Sequence, residues 1–259
     1  MSSDTANLDV MRHAKHYNRA MAKLVIDRLD LRSRNGELRR SVLDFGAGQG
    51  TFLQLIHEQL PTANVKWHCV EPEEKGRAAL SEWTQSVYAD LSAIADQSLD
   101  CVYSLNVFEH IDNDRAVCAE LLTKLKPGGL ALVLVPAHSR LWTAMDTYVG
   151  HRRRYSSYGL RHLLANHQAV IAAEGWFDRT GYWVTRLFQF LRKNKQGTGE
   201  LTESQVKLFD RAYYFAEPLL KLVAWITGVG VGKNRWILVR KIGAATAETT
   251  KAKRAQAKA

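Results

Sequence analysis

Three groups of residues in this 259-residue chain could do chemistry. The first is Asp44-Phe45-Gly46-Ala47-Gly48-Gln49-Gly50, a glycine-rich turn behind a short apolar run. Glycine has no Cβ and tolerates left-handed dihedrals, so such a turn lets a ligand approach the backbone closely. A dinucleotide turn needs G-x-G-x-x-G, with pyrophosphate on the following helix N-terminus. Here the third glycine of that pattern would fall on Thr51, and the glycines stand instead at 46, 48 and 50. Asp44 weighs more. Beside a pyrophosphate its carboxylate would be a like charge at close range, whereas beside a cationic ligand it attracts. The plain alternative is a turn that holds no ligand.

The second group is Asn106-Val107-Phe108-Glu109-His110. The third runs from Pro136 to Tyr155 and holds His138, Trp142, Asp146 and then Gly150-His151-Arg152-Arg153-Arg154-Tyr155. Clustered arginines can hold a phosphate or carboxylate bidentately. Asp146 or His151 could take a proton from an acceptor. A solvated basic loop in which Asp146 pairs with an arginine is the simpler alternative. For His110 the simpler alternative is a helix-start histidine bonded to backbone.

These groups must be carried by regular elements. Met21, Leu24, Val25 and Leu29 lie at helical spacing and suggest a helix over residues 10–31, with a turn at Asn35-Gly36 beyond it. Residues 41–45 read as a buried strand and residues 50–60 as a helix stopped by Pro61. A strand over 64–70 ends in Glu71-Pro72, a helix follows to about 83, and a short strand spans 86–88. Residues 99–104 read as a fourth strand. Asp112 is the expected cap of the next helix, with Val117, Leu121 and Leu125 inward, and Pro127-Gly128-Gly129 is the expected turn. The run 130–135 has no alternation and suits a strand buried on both faces of a parallel sheet. Close alternation of β and α argues for a doubly wound α/β sheet. After Ala137 a helix over 157–166 and a strand over 169–173, with a partner stretch through 182, are expected. Residues 184–232 read as mostly helical, broken at Gly197-Thr198-Gly199, and residues 235–241 as a last strand.

Taken in order, Val42-Leu43-Asp44-Phe45-Gly46-Ala47-Gly48-Gln49-Gly50, Cys69-Val70-Glu71-Pro72, Asp90-Leu91, Leu99-Asp100 through Glu109-His110 and Lys126-Pro127-Gly128-Gly129 resemble class I methyltransferases over residues 40–136. The resemblance implies a mostly parallel seven-stranded, Rossmann-like sheet with a helical insertion before the last strand. It implies S-adenosylmethionine as cofactor, which has no phosphate and carries an ammonium and a sulfonium. The implied cofactor residues are Asp44, Gly46, Ala47, Gly48, Gly50, Glu71 and Pro72, with Glu71 accepting from both ribose hydroxyls. Asp90 and Leu91 belong at the adenine and Asn106 at the methionine end. Asp90 could equally begin a helix. Tyr17 is expected over the cofactor carboxylate, with core packing as the alternative. His151, Asp146 and His110 are the candidate catalytic groups; His138, Trp142, Arg153, Arg154 and Tyr155 are the candidate acceptor contacts. The quinone-pathway O-methyltransferases resemble residues 106–110 but carry an acid in place of Asn106, and can use Glu and His there as metal ligands. Without that acid no metal is expected.

The implied organisation is a helical segment 1–40, a cofactor-binding core 41–183, a helical insertion 184–232, a last strand 233–242 and a disordered basic tail 243–259. The insertion holds Trp183, Phe188, Phe190, Phe209, Tyr213, Tyr214, Phe215 and Trp225 among basic residues. These could cover an apolar acceptor, lie on a membrane interface, or pack the helices onto the sheet, which is the plainest expectation. The net charge is +10, to which the end contributes Lys241, Lys251, Lys253, Arg254 and Lys258 against Glu248. Nucleic acid is nonetheless not an expected partner. No D/N-P-P-Y/F stretch, no Pro-Cys pair and no RNA-binding module is present. The expected acceptor is a small or lipid-like molecule, anionic if the arginines hold it. A nucleic-acid methyltransferase and a non-catalytic cofactor-binding protein are the rival readings. The first twenty residues lack an apolar signal core, and Cys69, Cys101 and Cys118 lack metal spacing, so a cytoplasmic protein with peripheral membrane contact at most is expected.

Overall fold

A computed structural model describes residues 10–32, 40–60, 64–165, 169–191 and 199–243. The turn at Asn35-Gly36, most of the break at 197–199 and the tail after residue 243 lie outside them. The elements are α1 (Lys15–Arg28), β1 (Arg40–Phe45), α2 (Thr51–Gln59), β2 (Val65–Val70), α3 (Glu74–Leu80), β3 (Val87–Tyr88) and β4 (Leu99–Leu105). Then follow α4 (Asp114–Lys124), β5 (Leu125–Pro136), α5 (Ala144–Tyr148), α6 (Ser157–Ala165), β6 (Ala169–Phe177), α7 (Arg179–Leu191), α8 (Glu203–Thr227) and β7 (Asn234–Lys241).

The strands form one seven-stranded sheet in the order β3-β2-β1-β4-β5-β7-β6. Strands β1 to β5 pair in parallel, and β7 runs antiparallel between β5 and β6. The expected doubly wound α/β sheet is therefore present. Strand β5 explains why its sequence does not alternate. Leu132 and Leu134 face the core under α1 and α2, whereas Ala131, Val133 and Val135 face the core under α4 and α6. Both faces are dry, so every position is apolar. The chain order reverses between β1 and β4, and in doubly wound sheets such a reversal sets a crevice at the strand C-termini.

Local details differ from the sequence reading. Asn113, not Asp112, caps α4 and accepts from the Ala116 amide; Asp112 pairs with Arg152 instead. Leu125 already belongs to β5, and Pro127-Gly128-Gly129 interrupts the pairing register within that strand rather than preceding it. Strand β6 continues to Phe177, and α7 starts at Arg179, so the helical hairpin before β7 begins earlier than residue 184. Its aromatics do not pack onto the sheet as expected. Tyr213 is buried and Phe209 half-buried, but Trp183, Phe188, Phe190, Tyr214, Phe215 and Trp225 are exposed. The acids point the other way. Asp210 of α8 accepts from the His16 and Tyr17 amides, capping α1, and Glu217 accepts from the Thr180 amide and hydroxyl, holding α7.

Candidate functional site

The glycine turn closes β1 onto its neighbours. Gly46, Gly48 and Gly50 all have positive φ (80°, 55° and 83°), the region where a side chain is strained. At Gly46 a second constraint applies, since a Cβ there would lie 2.3 Å from Val107 Cγ2. The Gly46 and Ala47 amides both reach Val70 O, tying the turn to the end of β2. Glu71 then stands beside it. Its carboxylate accepts from the Gly48 amide at 2.7 Å and the Glu73 amide at 2.9 Å. Gly76 in α3 permits this packing, because a Cβ would meet Glu71 Cγ at 2.7 Å and Gly48 O at 2.8 Å. Sequence reasoning missed Gly76; a glycine inside a helix, five residues past the acid, was the available signal. Pro72 follows at the surface and lends its carbonyl to Arg77.

Asp44 is buried in β1 and accepts from the Tyr103 hydroxyl, 2.7 Å away on β4. Burial pushes its carboxyl up to about 7; the Tyr103 hydrogen bond pulls it down and the nearby Glu71 charge pushes it up again. Tyr103 is a second residue the sequence did not reveal. It is the register partner of Asp44 across β1 and β4, which only the sheet pairing discloses. Asn106, one residue past β4, has φ 55°, and its buried Oδ1 has no hydrogen-bond partner among the described residues. Asp90 caps the short turn Leu91–Ala93 through Ser92, as its alternative reading held, while Leu91 is buried. Tyr17 takes the core alternative. Its ring meets Phe177, Phe209 and Tyr213 edge-on, and its hydroxyl accepts from Asn234 at 3.3 Å.

The second and third groups come together. The Arg152 amide donates to Glu109 O, and the Arg152 guanidinium to His110 O, so residues 150–155 fold back over the loop after β4. Asp146 is the centre of this knot. It accepts from the Thr143 amide and hydroxyl, from His151 Nδ1 at 2.8 Å, and from Arg154 through Nε and a terminal nitrogen at 2.8 and 3.0 Å. Burial opposes its charge, but the His151 and Arg154 hydrogen bonds and the Arg154 charge hold its carboxyl well below the usual range. Both Asp146 oxygens are thus engaged within the network. Arg154 is equally committed, to Asp146 and to Ala137 O, and is buried rather than open to an acceptor. Arg153 is paired with Asp114 at 2.8 Å. The Tyr155 hydroxyl lies 2.7 Å from Asp114 and 3.1 Å from Phe108 O, a strut between loops.

What remains directed inward is smaller than the sequence suggested. His151, with Nδ1 on Asp146, turns Nε2 toward Glu109, 3.8 Å away, and its ring meets His110 edge-on. Glu109 is fully buried, and neither carboxylate oxygen has a hydrogen-bond partner of ordinary geometry among the described residues. Burial pushes Glu109 up to about 8. The donor atoms of Glu109, His110 and His151 lie within 4.8 Å of one another. With Asn106 in place of an acid no metal is expected from the sequence; the fold nevertheless brings Glu109, His110 and His151 together. His138 (φ 59°) stacks on Trp176 at 4.7 Å and has a buried, unpartnered Nε2. Burial and the Arg154 charge lower its basicity, with only a backbone hydrogen bond to Gly232 acting the other way before Arg235 adds to the lowering. Trp142 is half open, with its indole nitrogen on Thr147.

Residues 14–174 match the family model described as a methyltransferase domain. The chain belongs to that family. It is 31% identical over 162 residues to an uncharacterized methyltransferase of Mycobacterium ulcerans and to one of Mycobacterium marinum, covering 55% of this chain and 62% of each relative. The match thus spans less than two thirds of these relatives. Among solved structures, the geranyl diphosphate C-methyltransferase of Streptomyces coelicolor, crystallised with Mg2+, geranyl-S-thiolodiphosphate and S-adenosyl-L-homocysteine, superposes with a TM-score of 0.56. It is 14% identical and covers 86% of this chain and 76% of that one. A SAM-dependent methyltransferase of Archaeoglobus fulgidus superposes with a TM-score of 0.54 at 18% identity, covering 86% and 92%. At these identities the likeness shows the shared fold. The family's cofactor fits the residues present. Asp44, just before the turn, is a buried carboxylate whose described donor is a neutral tyrosine, and Asn106, next to the Val107 that packs on Gly46, has an orphaned amide oxygen; a cationic ligand would satisfy both.

Proposed function

We propose that this chain transfers a methyl group from S-adenosylmethionine to a small, lipid-like acceptor. The observation that carries the reading is Asp44, a buried carboxylate beside three left-handed glycines and without a cation among its described partners. Asp44 and Asn106 hold the charged methionine end. Glu71 holds the ribose hydroxyls and Asp90, through its second oxygen, the adenine edge. When bound, the cofactor supplies a methyl on a sulfonium, a leaving group that needs no protonation. The chain's remaining task is alignment and removal of one proton.

His151 suits that task. Its Nδ1–H is fixed on Asp146, which leaves the Nε2 lone pair free to accept a proton from an acceptor O–H or N–H as the methyl bond forms. Glu109 beside it stays protonated below about pH 8 and can donate to the acceptor. A lipid-like acceptor is supported by the hairpin. Gln189 of α7 donates to Arg140 O and Trp142 O, so an apolar helix borders the loop that carries the acceptor groups. Three free, buried thiols suit a reducing, cytoplasmic setting. The test is transfer of a tritiated methyl from the cofactor into fractionated extract. Label in the lipid or small-molecule pool supports the reading; label confined to nucleic acid or protein polymer, or none, overturns it.

A further inference from the structure

The helical hairpin carries an apolar surface that the fold leaves in water. On α7, Trp183, Leu187 and Phe190 lie at helical spacing and are 54, 57 and 74% exposed. On α8, Phe215, Leu219 and Ile226 repeat the pattern at 72, 62 and 67%. The two helices adjoin, since Trp183 of α7 and Val223 of α8 line one shallow groove between them. Scattered exposed apolar residues are ordinary, but two adjoining helices that each expose a stripe of aromatic and branched side chains mark an interaction surface. Two of the undescribed segments are poor in large apolar side chains. Residues 192–198 read RKNKQGT, and residues 244–259 contain only Ala, Thr, Glu, Lys, Arg and Gln.

The charges around this face select the partner. Beyond Glu203 at the start of α8, every exposed charged side chain on α7 and α8 is basic: Arg186, Lys207, Arg211 and Lys221. The two other acids of α8, Asp210 and Glu217, are buried against α1 and α7. A second copy placed on this face would bring like charges together, whereas an anionic lipid surface meets apolar and basic side chains at once. No described helix is long and apolar enough to cross a membrane, which leaves docking in the plane of the interface.

We propose that the α7–α8 hairpin docks this protein onto anionic lipid membrane, with the apolar stripe in the headgroup region and the basic side chains on lipid phosphates. Docking needs no turnover, so its failure and the failure of methyl transfer are read separately. The experiment is flotation of the full chain with phosphatidylcholine vesicles, with and without phosphatidylglycerol, alongside its size in solution. The expected result is flotation with phosphatidylglycerol vesicles, weakened by salt, and roughly tenfold or more loss in a Phe215→Glu/Leu219→Glu/Ile226→Glu variant. These positions are exposed, and an unchanged circular dichroism spectrum and cofactor affinity would show that the variant folds. No flotation on anionic vesicles overturns the proposal. So does equal flotation on phosphatidylcholine alone, or a dimer in solution that the triple variant dissociates, which would assign the face to a second copy.

Discussion

The two edges of the crevice treat their polar groups in opposite ways. At the cofactor edge, Asp44 has a single neutral donor described and Asn106 Oδ1 has none. At the acceptor edge, Asp146, Arg154 and Arg153 are satisfied by one another and by nearby loops. Unsatisfied buried groups are costly and persist where a ligand completes them, whereas a closed network holds shape. The first edge is thus built to recognise, and the second to hold one imidazole still. Glu109 and His138 are the exceptions on the second edge, with buried polar atoms that lack a partner among the described residues, and on the function proposed above they are the groups an acceptor would meet.

Breaking the closed network gives the largest effect. Asp146→Ala leaves Arg154 buried without its counter-ion, which costs about 3–5 kcal/mol. Thermal unfolding should show a drop in Tm on the order of 10 °C, and loss of methyl transfer with it. His151→Ala sharpens the contrast, because the network should survive it. Turnover should fall by about 10²–10⁴ while cofactor affinity and Tm stay near wild type. A loss of cofactor affinity equal to the loss of turnover would assign His151 to the cofactor edge instead.

Glu109→Gln is the smallest change and has a pH signature. The folded carboxyl is raised to about 8 from an ordinary value of 4.5, so between these the folded state holds more protons than the unfolded one. Stability from this group is therefore present below pH 4.5 and lost as pH rises toward 8. The variant should match wild type near pH 4.5 and exceed it near pH 8, by roughly 1–3 kcal/mol. Denaturant unfolding at both pH values checks it; a variant less stable at pH 8 would mean that the Glu109 charge is satisfied in solution.

The same contrast explains what could be read from sequence. The cofactor edge depends on backbone. Left-handed turns demand Gly46, Gly48 and Gly50, and a strand buried on both faces demands the unbroken run in β5, so composition and spacing reveal both. Tyr103 and Gly76 stayed hidden because their roles exist only through register and helix packing. At the acceptor edge the residue types were visible but not their pairing. The sequence left open whether Asp146 meets an acceptor or pairs with an arginine, and only the fold shows that Arg154 is its partner. The hairpin aromatics looked like core because their helical spacing is the same whether the stripe faces inward or outward.

Whether Asp44 selects a cationic cofactor is read by calorimetric titration of S-adenosylmethionine into wild type and Asp44→Asn. Burial raises the free carboxyl to about 7, and a cation favours its ionised form, so wild-type affinity should rise as pH goes from 5 to 7, with proton release below 7. Asp44→Asn should bind roughly 100-fold more weakly and lose that pH dependence. Equal affinity in the two proteins, or pH-independent binding by wild type, would contradict the account.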